Sequence, residues 1–197
     1  MSRVLESVVL ASASPRRLEL LRSVGLDVAV VPSGYDEPPL GRPPPEIARL
    51  HARAKLERVL ALHPSDAVVA ADTVVDLDGQ ALGKPVDPDE ARRMLERLSG
   101  RVHLVHTAYA LALPQAPALI ERLSTTRVRF HRLEDDEIRA YVATGEPMDK
   151  AGAYGIQGRA AALVASVDGD YFTVMGFPIG DFVRTLRASG FSLPALK

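Results

Sequence analysis

The chain has 197 residues, of which 47% are hydrophobic and 25% are charged, and its formal net charge is −1. These proportions are typical of a folded globular protein with one large domain or two small lobes. The near-zero charge, with basic and acidic residues interleaved, argues against a nucleic-acid surface. The absence of cysteine excludes disulfides, cysteine-based zinc sites and a thiolate nucleophile. Neither a signal-peptide core nor a run of about 20 apolar residues occurs, so we expect no membrane partner and a cytoplasmic location.

The first part of the chain predicts a strand, a helix and a second strand. The apolar residues 8–11 predict the first strand. Ser14 is a good N-cap for the helix and Pro15 suits its first position. Gly25 ends this helix. Residues 28–32 predict the second strand.

A stiff loop and a long helix follow. Residues 33–45 hold five prolines and two glycines, which predicts an irregular loop. The helix is predicted over residues 45–62, with an apolar stripe that recurs at steps of four, three, four and three. The members of this stripe are Ala48, Ala52, Lys55, Val59 and Leu62. Lys55 is its charged member and therefore lies in line with the apolar face.

The most apolar strand is predicted over residues 66–75. Because nearly all of its residues are apolar, it suits a sheet that is covered on both faces. Residues 78–79, Asp-Gly, predict a tight hairpin turn after it. Asp87, followed by Pro88, predicts the capped start of the next helix.

The second half of the chain predicts an antiparallel ribbon and then shorter elements. Two long strands, at about residues 101–113 and 119–131, flank a predicted turn at residues 114–117. The later elements are a short helix carrying Ile138, Tyr141 and Val142, an irregular glycine-rich segment over residues 145–160, two short strands, and a final helix with Ile179, Phe182, Val183 and Leu186 on one face. This mixture predicts an α/β fold with two lobes and a cleft between them.

Hydroxyl and guanidinium groups are concentrated where the first strand meets the first helix. The residues there are Ser12-Ala13-Ser14-Pro15-Arg16-Arg17. A helix N-terminus offers free backbone N–H groups and a partial positive charge. Two serines and two arginines add donors that suit phosphate oxygens. Simple helix capping with solvated arginines is the alternative, but the density of donors favours a phosphate site.

Asp72 is a carboxylate inside the most apolar predicted strand. It must be paired, hydrogen-bonded or metal-bound, because an isolated buried carboxylate is very costly. Taken alone, Asp72 fits a structural pairing and a functional role equally well. Lys55 and Lys84 favour the functional role, since two lysines facing an aspartate fit a polyphosphate and its metal. Asp36 and Glu37 are further candidate ligands for a hard cation such as Mg²⁺, although alone they fit a solvated acidic loop better.

A glycine-rich segment, residues 149–158, reads Asp-Lys-Ala-Gly-Ala-Tyr-Gly-Ile-Gln-Gly. Its small residues let the backbone approach a flat ligand. Lys150, Tyr154 and Gln157 offer charge, stacking and amide hydrogen bonds. The amide of Gln157 can match the donor–acceptor edge of uracil or thymine. A glycine-rich connection that binds no ligand is the alternative.

Three common catalytic motifs are absent. The sequence has no GxxxxGK[ST] phosphate loop and no GxSxG nucleophile elbow. The five histidines show no ligand spacing, because His103 and His106 in one strand point to opposite faces. The candidate chemistry is therefore confined to the segments above.

Six segments, in their order and spacing, resemble the Maf family of nucleotide pyrophosphatases. They are residues 10–17 (LASASPRR), 71–75 (ADTVV), 83–85 (GKP), 98–100 (LSG), 145–147 (GEP) and 149–158 (DKAGAYGIQG). The resemblance implies a single domain over residues 1–197, with a two-lobed α/β fold similar to that of inosine triphosphate pyrophosphatases, a mixed sheet and a central nucleotide cleft. It also implies hydrolysis between the α and β phosphates, assisted by a divalent cation, Mg²⁺ or Mn²⁺.

The resemblance implies a role for each of nine residues of this sequence. The proton acceptor would be Asp72. The residues that set base specificity would be Arg16, Thr73 and Gln157, and those that hold phosphates would be Ser12, Arg17, Lys55 and Lys84. The metal ligands would be Glu37 and Asp72, with Asp36 as a neighbour.

Residues 150–158 resemble the branch of the family that acts on dTTP and UTP. The branch acting on 7-methyl-GTP typically has a block closer to Cys-Ala-Gly-Ser-Phe, with a glutamate where Gln157 stands, and it is the alternative among enzymes. The alternative from another class is a nucleotide-binding regulator of cell division. A regulator needs the pocket but not the proton acceptor, so the presence of Asp72 with Lys84 favours the enzyme. The resemblance leaves open a homodimer, the preferred metal, and the choice between normal and modified pyrimidine triphosphates.

Two segments depart from the family pattern. After His103 the family usually continues with Thr-Gly-Val, whereas residues 106–110 here read His-Thr-Ala-Tyr-Ala. Asp170 and Thr173 stand where serine and asparagine are common. Both departures lie outside the expected chemical core, so we expect them to affect secondary contacts and rate rather than the type of reaction.

Overall fold

A computed structural model of the chain describes residues 3–114 and 118–194. Residues 115–117, most of the turn predicted at 114–117, lie outside this described part. The strands are β1 (Arg3–Val4), β2 (Ser7–Leu10), β3 (Asp27–Val30), β4 (Val68–Leu77), β5 (Gln80–Leu82), β6 (Val102–Ala112), β7 (Ile120–Phe130), β8 (Val164–Asp168) and β9 (Phe191–Ser192). The helices are α1 (Pro15–Ser23), α2 (Pro44–Leu60), α3 (Pro88–Leu98), α4 (Asp135–Val142), α5 (Tyr171–Met175) and α6 (Ile179–Ala188).

The main sheet has the strand order β3-β2-β4-β6-β7-β8, and β5 pairs with the end of β4. Strand β2 is parallel to both β3 and β4. Strand β6 is antiparallel to β4, β7 is antiparallel to β6, and β8 is antiparallel to β7. The sheet is therefore mixed, and the predicted α/β class is confirmed. The predicted division into two lobes of one domain stays a prediction.

One edge of β4 is uncovered in its middle. Strand β2 pairs with β4 as far as Leu10 opposite Val69, and β5 begins its pairing at Val75. Between these two pairings, residues 70–74 have a strand neighbour only on the β6 side within the described part of the chain. Asp72 and Thr73 lie in this uncovered stretch, so the strand ladder itself leaves room for a ligand beside them.

Alternate residues of β4 pack into different layers, as the period of two of a strand requires. Val69 and Ala71 belong to a core that includes Leu21 of α1 and Phe182 of α6. Val68 and Ala70 face the other way and pack with Leu56 and Val59 of α2. Further along the sheet, Val75 and Leu77 pack with residues of α3 and α4, including Leu95, Leu98, Ile138 and Tyr141. The helices thus cover both faces of the sheet, as the apolar sequence of β4 predicts.

Most predicted elements are confirmed, and the exceptions have local causes. Leu62, predicted on the apolar stripe of α2, is 74% exposed because the helix ends at Leu60. Of the two short strands predicted before α6, the structure has β8, while the second is replaced by the helix α5. The side chain of Asp170 caps α5 by accepting a hydrogen bond from Phe172 N at 3.1 Å. The parallel pair of β1 and β9 was not predicted.

No helix within residues 3–114 and 118–194 combines the length and apolar character that a membrane crossing needs.

Candidate active site

A cleft of about 1020 Å³ lies beside the uncovered stretch of β4. Its walls come from the start of α1, the loop before α2, α2 itself, and the segments around residues 80–84 and 149–157. All nine predicted site residues line it: Ser12, Arg16, Arg17, Glu37, Lys55, Asp72, Thr73, Lys84 and Gln157. Asp36 is exposed and is absent from the described lining of the cleft.

Arg17 is fixed on one wall of the cleft by three hydrogen bonds. Its Nε donates to the carbonyl oxygen of Gly176 at 2.9 Å, its Nη1 to Ser12 Oγ at 3.0 Å, and its Nη2 to Thr73 Oγ1 at 3.3 Å. Burial lowers the pKa of the guanidinium, although the nearby charges of Asp72 and Glu37 act in the opposite direction. These bonds use three of the five guanidinium N–H groups, which leaves donors for a phosphate oxygen.

The start of α1 carries no side-chain cap. Ser14 occupies the predicted N-cap position, but its side chain makes no capping hydrogen bond. Its backbone N–H instead donates to Ser12 Oγ at 3.2 Å. Without a side chain over the first turn, the backbone N–H groups there stay available to an anion.

Thr73 is held by residues that the sequence analysis did not place in the site. Thr107 donates its hydroxyl proton to the carbonyl oxygen of Thr173 at 2.7 Å, and its Oγ1 lies 2.9 Å from Thr73 Oγ1. Because Thr107 has no second hydroxyl proton, Thr73 must be the donor between the two threonines. The oxygen of Thr73 is then left to accept from Arg17. Thr107 and Thr173 lie in the two departures from the family pattern, which therefore reach the site through hydrogen bonds.

Lys55 connects the two candidate carboxylates. Its Nζ lies 2.5 Å from Asp72 Oδ1 and 2.6 Å from Glu37 Oε1. Lys55 is 7% exposed and Asp72 is 5% exposed, so this ion pair is largely shielded from solvent. The lysine that interrupts the apolar stripe of α2 thus reaches across to the strand, and Asp72 is paired, as its burial requires.

Glu37 faces cations on two sides. Its Oε2 lies 3.9 Å from Lys84 Nζ, opposite its contact with Lys55. Partial burial raises the pKa of Glu37, but the hydrogen bond and charge of Lys55, with the charges of Lys84 and His51, outweigh it, so the pKa is lowered. Glu37 therefore stays ionised at neutral pH.

The carboxylates fit a cation that is completed by a substrate. In the described residues, no group of three or more histidine, aspartate or glutamate side chains is arranged to hold a metal ion. Mg²⁺ is usually held by one or two carboxylates together with substrate phosphates and water. Asp72 and Glu37 supply two carboxylates to one cleft, each with one oxygen bonded to Lys55. The donors fit this mode, and the cation itself stays a prediction.

The glycine-rich segment packs directly on β4. Gly152 N donates to the carbonyl oxygen of Gly83 at 2.9 Å. Its φ of +67° favours glycine, and a Cβ built there would lie 3.0 Å from the side chain of Val75. The segment can therefore approach the strand that carries Asp72 only because position 152 has no side chain.

Of Lys150, Tyr154 and Gln157, the three side chains of this segment that the sequence suggested for ligand contacts, only Gln157 is exposed. Tyr154 is buried, with its hydroxyl 2.6 Å from His103 Nε2 and its ring edge-on to Phe130. The stacking suggested for Tyr154 is therefore wrong, because its ring belongs to the core. Lys150 donates to the carbonyl oxygen of Glu146 at 2.6 Å and contacts Asp149 Oδ1 at 2.5 Å. Among these three side chains, Gln157 is left as the one that can reach a base.

Tyr35 and His51 also line the cleft, and sequence reasoning did not select them; Asp149, the first residue of the selected segment 149–158, lines it too. The buried His51 precedes Lys55 by four residues on α2, so the two share a helix face. That spacing was the available signal for His51. Tyr35 gave no comparable signal, because it lies in an irregular segment without a periodic pattern.

The fold and the cleft together define a mixed α/β protein whose cleft is lined by a helix start without a side-chain cap and by arginine and lysine side chains. Residues 7–189 match the family described as Maf-like protein, and the chain belongs to that family. The resemblance found in the sequence is thereby confirmed.

Similar proteins span nearly the same length. A dTTP/UTP pyrophosphatase of Thermus thermophilus is 47% identical over 93% of this chain and 95% of its own. Proteins with the same name from Thermococcus gammatolerans and Moorella thermoacetica are 49% and 50% identical, over 94% of this chain and 98% and 96% of theirs. A solved HAM1 protein from Coxiella burnetii, at 17% identity, aligns with a TM-score of 0.52 over 93% of this chain and 99% of its own. That likeness is one of fold.

Proposed function

We propose that this chain is a nucleoside triphosphate pyrophosphatase that hydrolyses dTTP and UTP to the monophosphate and pyrophosphate. One observation carries the proposal: Lys55 joins Asp72 and Glu37 at the uncovered edge of β4, inside a cleft that also holds Arg17. A structural ion pair would not require an adjoining cleft with an anion-binding helix start. The relatives named dTTP/UTP pyrophosphatase support the choice of reaction and substrate.

In the proposed reaction, a water molecule attacks the α-phosphorus and the bond to the bridging oxygen breaks. Asp72 accepts the proton of the water, and pyrophosphate leaves with the bridging oxygen. Negative charge moves onto the pyrophosphate, where Arg17, Lys55 and Lys84 stabilise it. Arg17 needs little reorganisation, because Ser12 and the Gly176 carbonyl already fix its guanidinium.

The proposed cation would be held by Asp72 and Glu37 and would supply charge neutralisation on the phosphates and activation of the water. Lys55 keeps both carboxylates at one place in the cleft through its contacts of 2.5 and 2.6 Å. A cytoplasmic location, where nucleoside triphosphates are made and used, belongs to the same proposal.

Base choice is assigned to Arg16, Thr73 and Gln157. The amide of Gln157 presents a donor and an acceptor, which match O4 and N3–H of thymine or uracil. Cytosine reverses that pattern, and a site that leaves buried polar groups unpaired rejects the wrong base. Thr73 occupies a fixed position because Thr107 and Arg17 both bond its hydroxyl.

The test is a pyrophosphate-release assay with dTTP, UTP, CTP, ATP, GTP and 7-methyl-GTP, run with Mg²⁺, with Mn²⁺ and with EDTA. We expect the fastest turnover with dTTP and UTP, dependence on the metal, and monophosphate as the nucleotide product. A diphosphate with orthophosphate would show cleavage between the β and γ phosphates and would overturn the proposal. Preference for 7-methyl-GTP would indicate the other branch, and binding without turnover would indicate a regulator.

A further inference from the structure

The loop that carries Glu37 has little backbone support of its own. Within the described part of the chain, residues 33–42 make no backbone-to-backbone hydrogen bond. Glu37 is also one of the two carboxylates assigned to the cation. A carboxylate on such a loop needs side-chain contacts to hold it at a defined position.

One face of α2 supplies these contacts. His51, Lys55 and Arg58 follow one another at steps of four and three, which places them on one side of the helix. His51 Nδ1 lies 3.3 Å from Tyr35 Oη, and Arg58 Nη1 donates to the carbonyl oxygen of Gly34 at 2.5 Å. The guanidinium of Arg58 also lies over the ring of Tyr35, 5.1 Å from its centroid.

Tyr35 is therefore held from two sides, two residues before Glu37. Its ring contacts Arg58 and His51, and its hydroxyl is at hydrogen-bond distance from the imidazole. His51 is buried and on the same helix face as Lys55, which binds Glu37 directly. These contacts hold the loop against α2, the helix that carries Lys55.

We infer that Tyr35 and His51 are positioning residues that hold Glu37 at the cation site of the cleft. The inference rests on the proposed function insofar as Glu37 is taken as a ligand of the cation. Neither residue touches the phosphates or the water in this role, since both act through the loop. Their loss should therefore weaken metal binding more than it lowers the maximal rate at saturating metal.

The test measures Mn²⁺ binding by calorimetry, with a non-hydrolysable α,β-methylene analogue of dTTP present. Tyr35→Phe removes only the hydroxyl and keeps the ring against Arg58. We expect it to raise the dissociation constant of Mn²⁺ about fivefold, the ratio that one hydrogen bond typically represents. His51→Leu should have the same effect, and His51→Asn, whose amide lies near the position of Nδ1, should restore binding.

A double-mutant cycle separates positioning from general destabilisation. In a Glu37→Gln background, which should itself weaken Mn²⁺ binding, Tyr35→Phe should have no further effect. Tyr171→Phe is the matched control, because Tyr171 is a partly exposed tyrosine in α5 that does not line the cleft. Unchanged Mn²⁺ affinity in Tyr35→Phe, or an equal loss in both backgrounds, would overturn the inference. Absence of hydrolysis by the unmutated protein would count against the proposed function alone, since the binding measurement does not need turnover.

Discussion

Asp72 and Asp76 are two carboxylates of the same strand, four residues apart and on the same face of β4. Both are buried, at 5% and 8% exposed. Asp76 accepts a hydrogen bond from Gly79 N at 2.7 Å and lies 3.2 Å from His106 Nε2. Asp72 is paired with the ammonium group of Lys55 and lines the cleft, whereas Asp76 is absent from the described lining.

The difference between Asp72 and Asp76 shows that burial of a carboxylate in an apolar strand does not by itself indicate a catalytic or binding role. Asp76 lies where β5 covers the edge of β4, opposite Ala81, and its partners come from the adjoining turn and strand. Asp72 lies where that edge is uncovered, and its partner comes from helix α2, which packs on the same face of the sheet. The two aspartates differ in their access to the cleft and in the kind of side chain that pairs with them. Neither property can be deduced from the amino-acid composition of the strand.

The largest expected effect tests this comparison directly. Asp72→Asn keeps the shape of the side chain and removes the proton acceptor, so kcat should fall by about 10²–10⁴. Asp76→Asn is the matched control and should stay within a few-fold of the parent, since its amide oxygen still accepts from Gly79 N. Steady-state kinetics with saturating Mn²⁺ would measure both variants, and thermal unfolding would verify their folds. Equal losses of kcat in the two variants would contradict the assignment of a catalytic role to Asp72 and a structural role to Asp76.

The second prediction concerns His103, a polar group that packs in the core away from Asp72. Burial lowers the pKa of His103 to about 4. Because this value lies below the unfolded pKa of about 6.5, the unfolded chain binds the proton more readily between the two. The free energy of unfolding should therefore fall by about 3 kcal/mol as the pH drops from about 6.5 to about 4.

Urea unfolding over this pH range would measure the effect. The substitution His103→Gln keeps a hydrogen-bond partner for Tyr154 near the position of Nε2, and glutamine does not titrate. The unfolding free energy of this variant should therefore lack the pH dependence that His103 contributes. A pH profile identical to that of the parent would show that the pKa of His103 is the same in the folded protein and in the unfolded chain.

A smaller effect on stability is expected at Asp76. Asp76→Ala leaves Gly79 N and one nitrogen of His106 without their partner, which should cost about 1–3 kcal/mol of unfolding free energy. The value of kcat/KM for dTTP should change little, because Asp76 is absent from the described lining of the cleft. Chemical denaturation and kinetics on one preparation would check both statements. A large kinetic loss without a loss of stability would assign Asp76 a part in the reaction.

The smallest expected effect is on base choice. Gln157 is the opposite case to Asp76, an exposed polar side chain that lines the cleft. Gln157→Glu replaces the amide donor with a charge, so kcat/KM for dTTP and UTP should fall about tenfold relative to ATP and GTP. Gln80→Glu is the control, because Gln80 also lines the cleft but its amide accepts a hydrogen bond from Arg97 at 2.8 Å. An unchanged ratio across the bases in Gln157→Glu would place selectivity elsewhere.

The sequence predicted those features that depend on local patterns. The strand around Asp72, the start of α1 at Pro15 and the placement of Lys55 on the apolar face of α2 all follow from periodicity and capping. The gathering of nine residues in one cleft came from the family resemblance, and in the structure all nine line one cleft. Their individual roles stay predictions.

The remaining features depend on long-range contacts that local patterns do not contain. The hydrogen bonds from Arg17 through Thr73 and Thr107 to Thr173 join four separate elements of the chain. Tyr154 looked available for stacking, and only the packing of Phe130 and His103 around it shows otherwise. The stretch of β4 beside Asp72 is uncovered because β2 ends and β5 begins at particular registers, which depend on pairing rather than on composition.

The close packing of Gly152 against Val75 has a consequence for the size of the ligand. The segment that bears Gln157 touches the strand that bears Asp72 without an intervening side chain, and the hydrogen bond from Gly152 to Gly83 holds it there. Purine and pyrimidine nucleotides differ in the span from the recognised edge of the base to the α-phosphorus. Because the hydrogen bond to Gly83 opposes movement of the segment away from the strand, we expect the longer purine nucleotide to place its α-phosphorus out of line with Asp72.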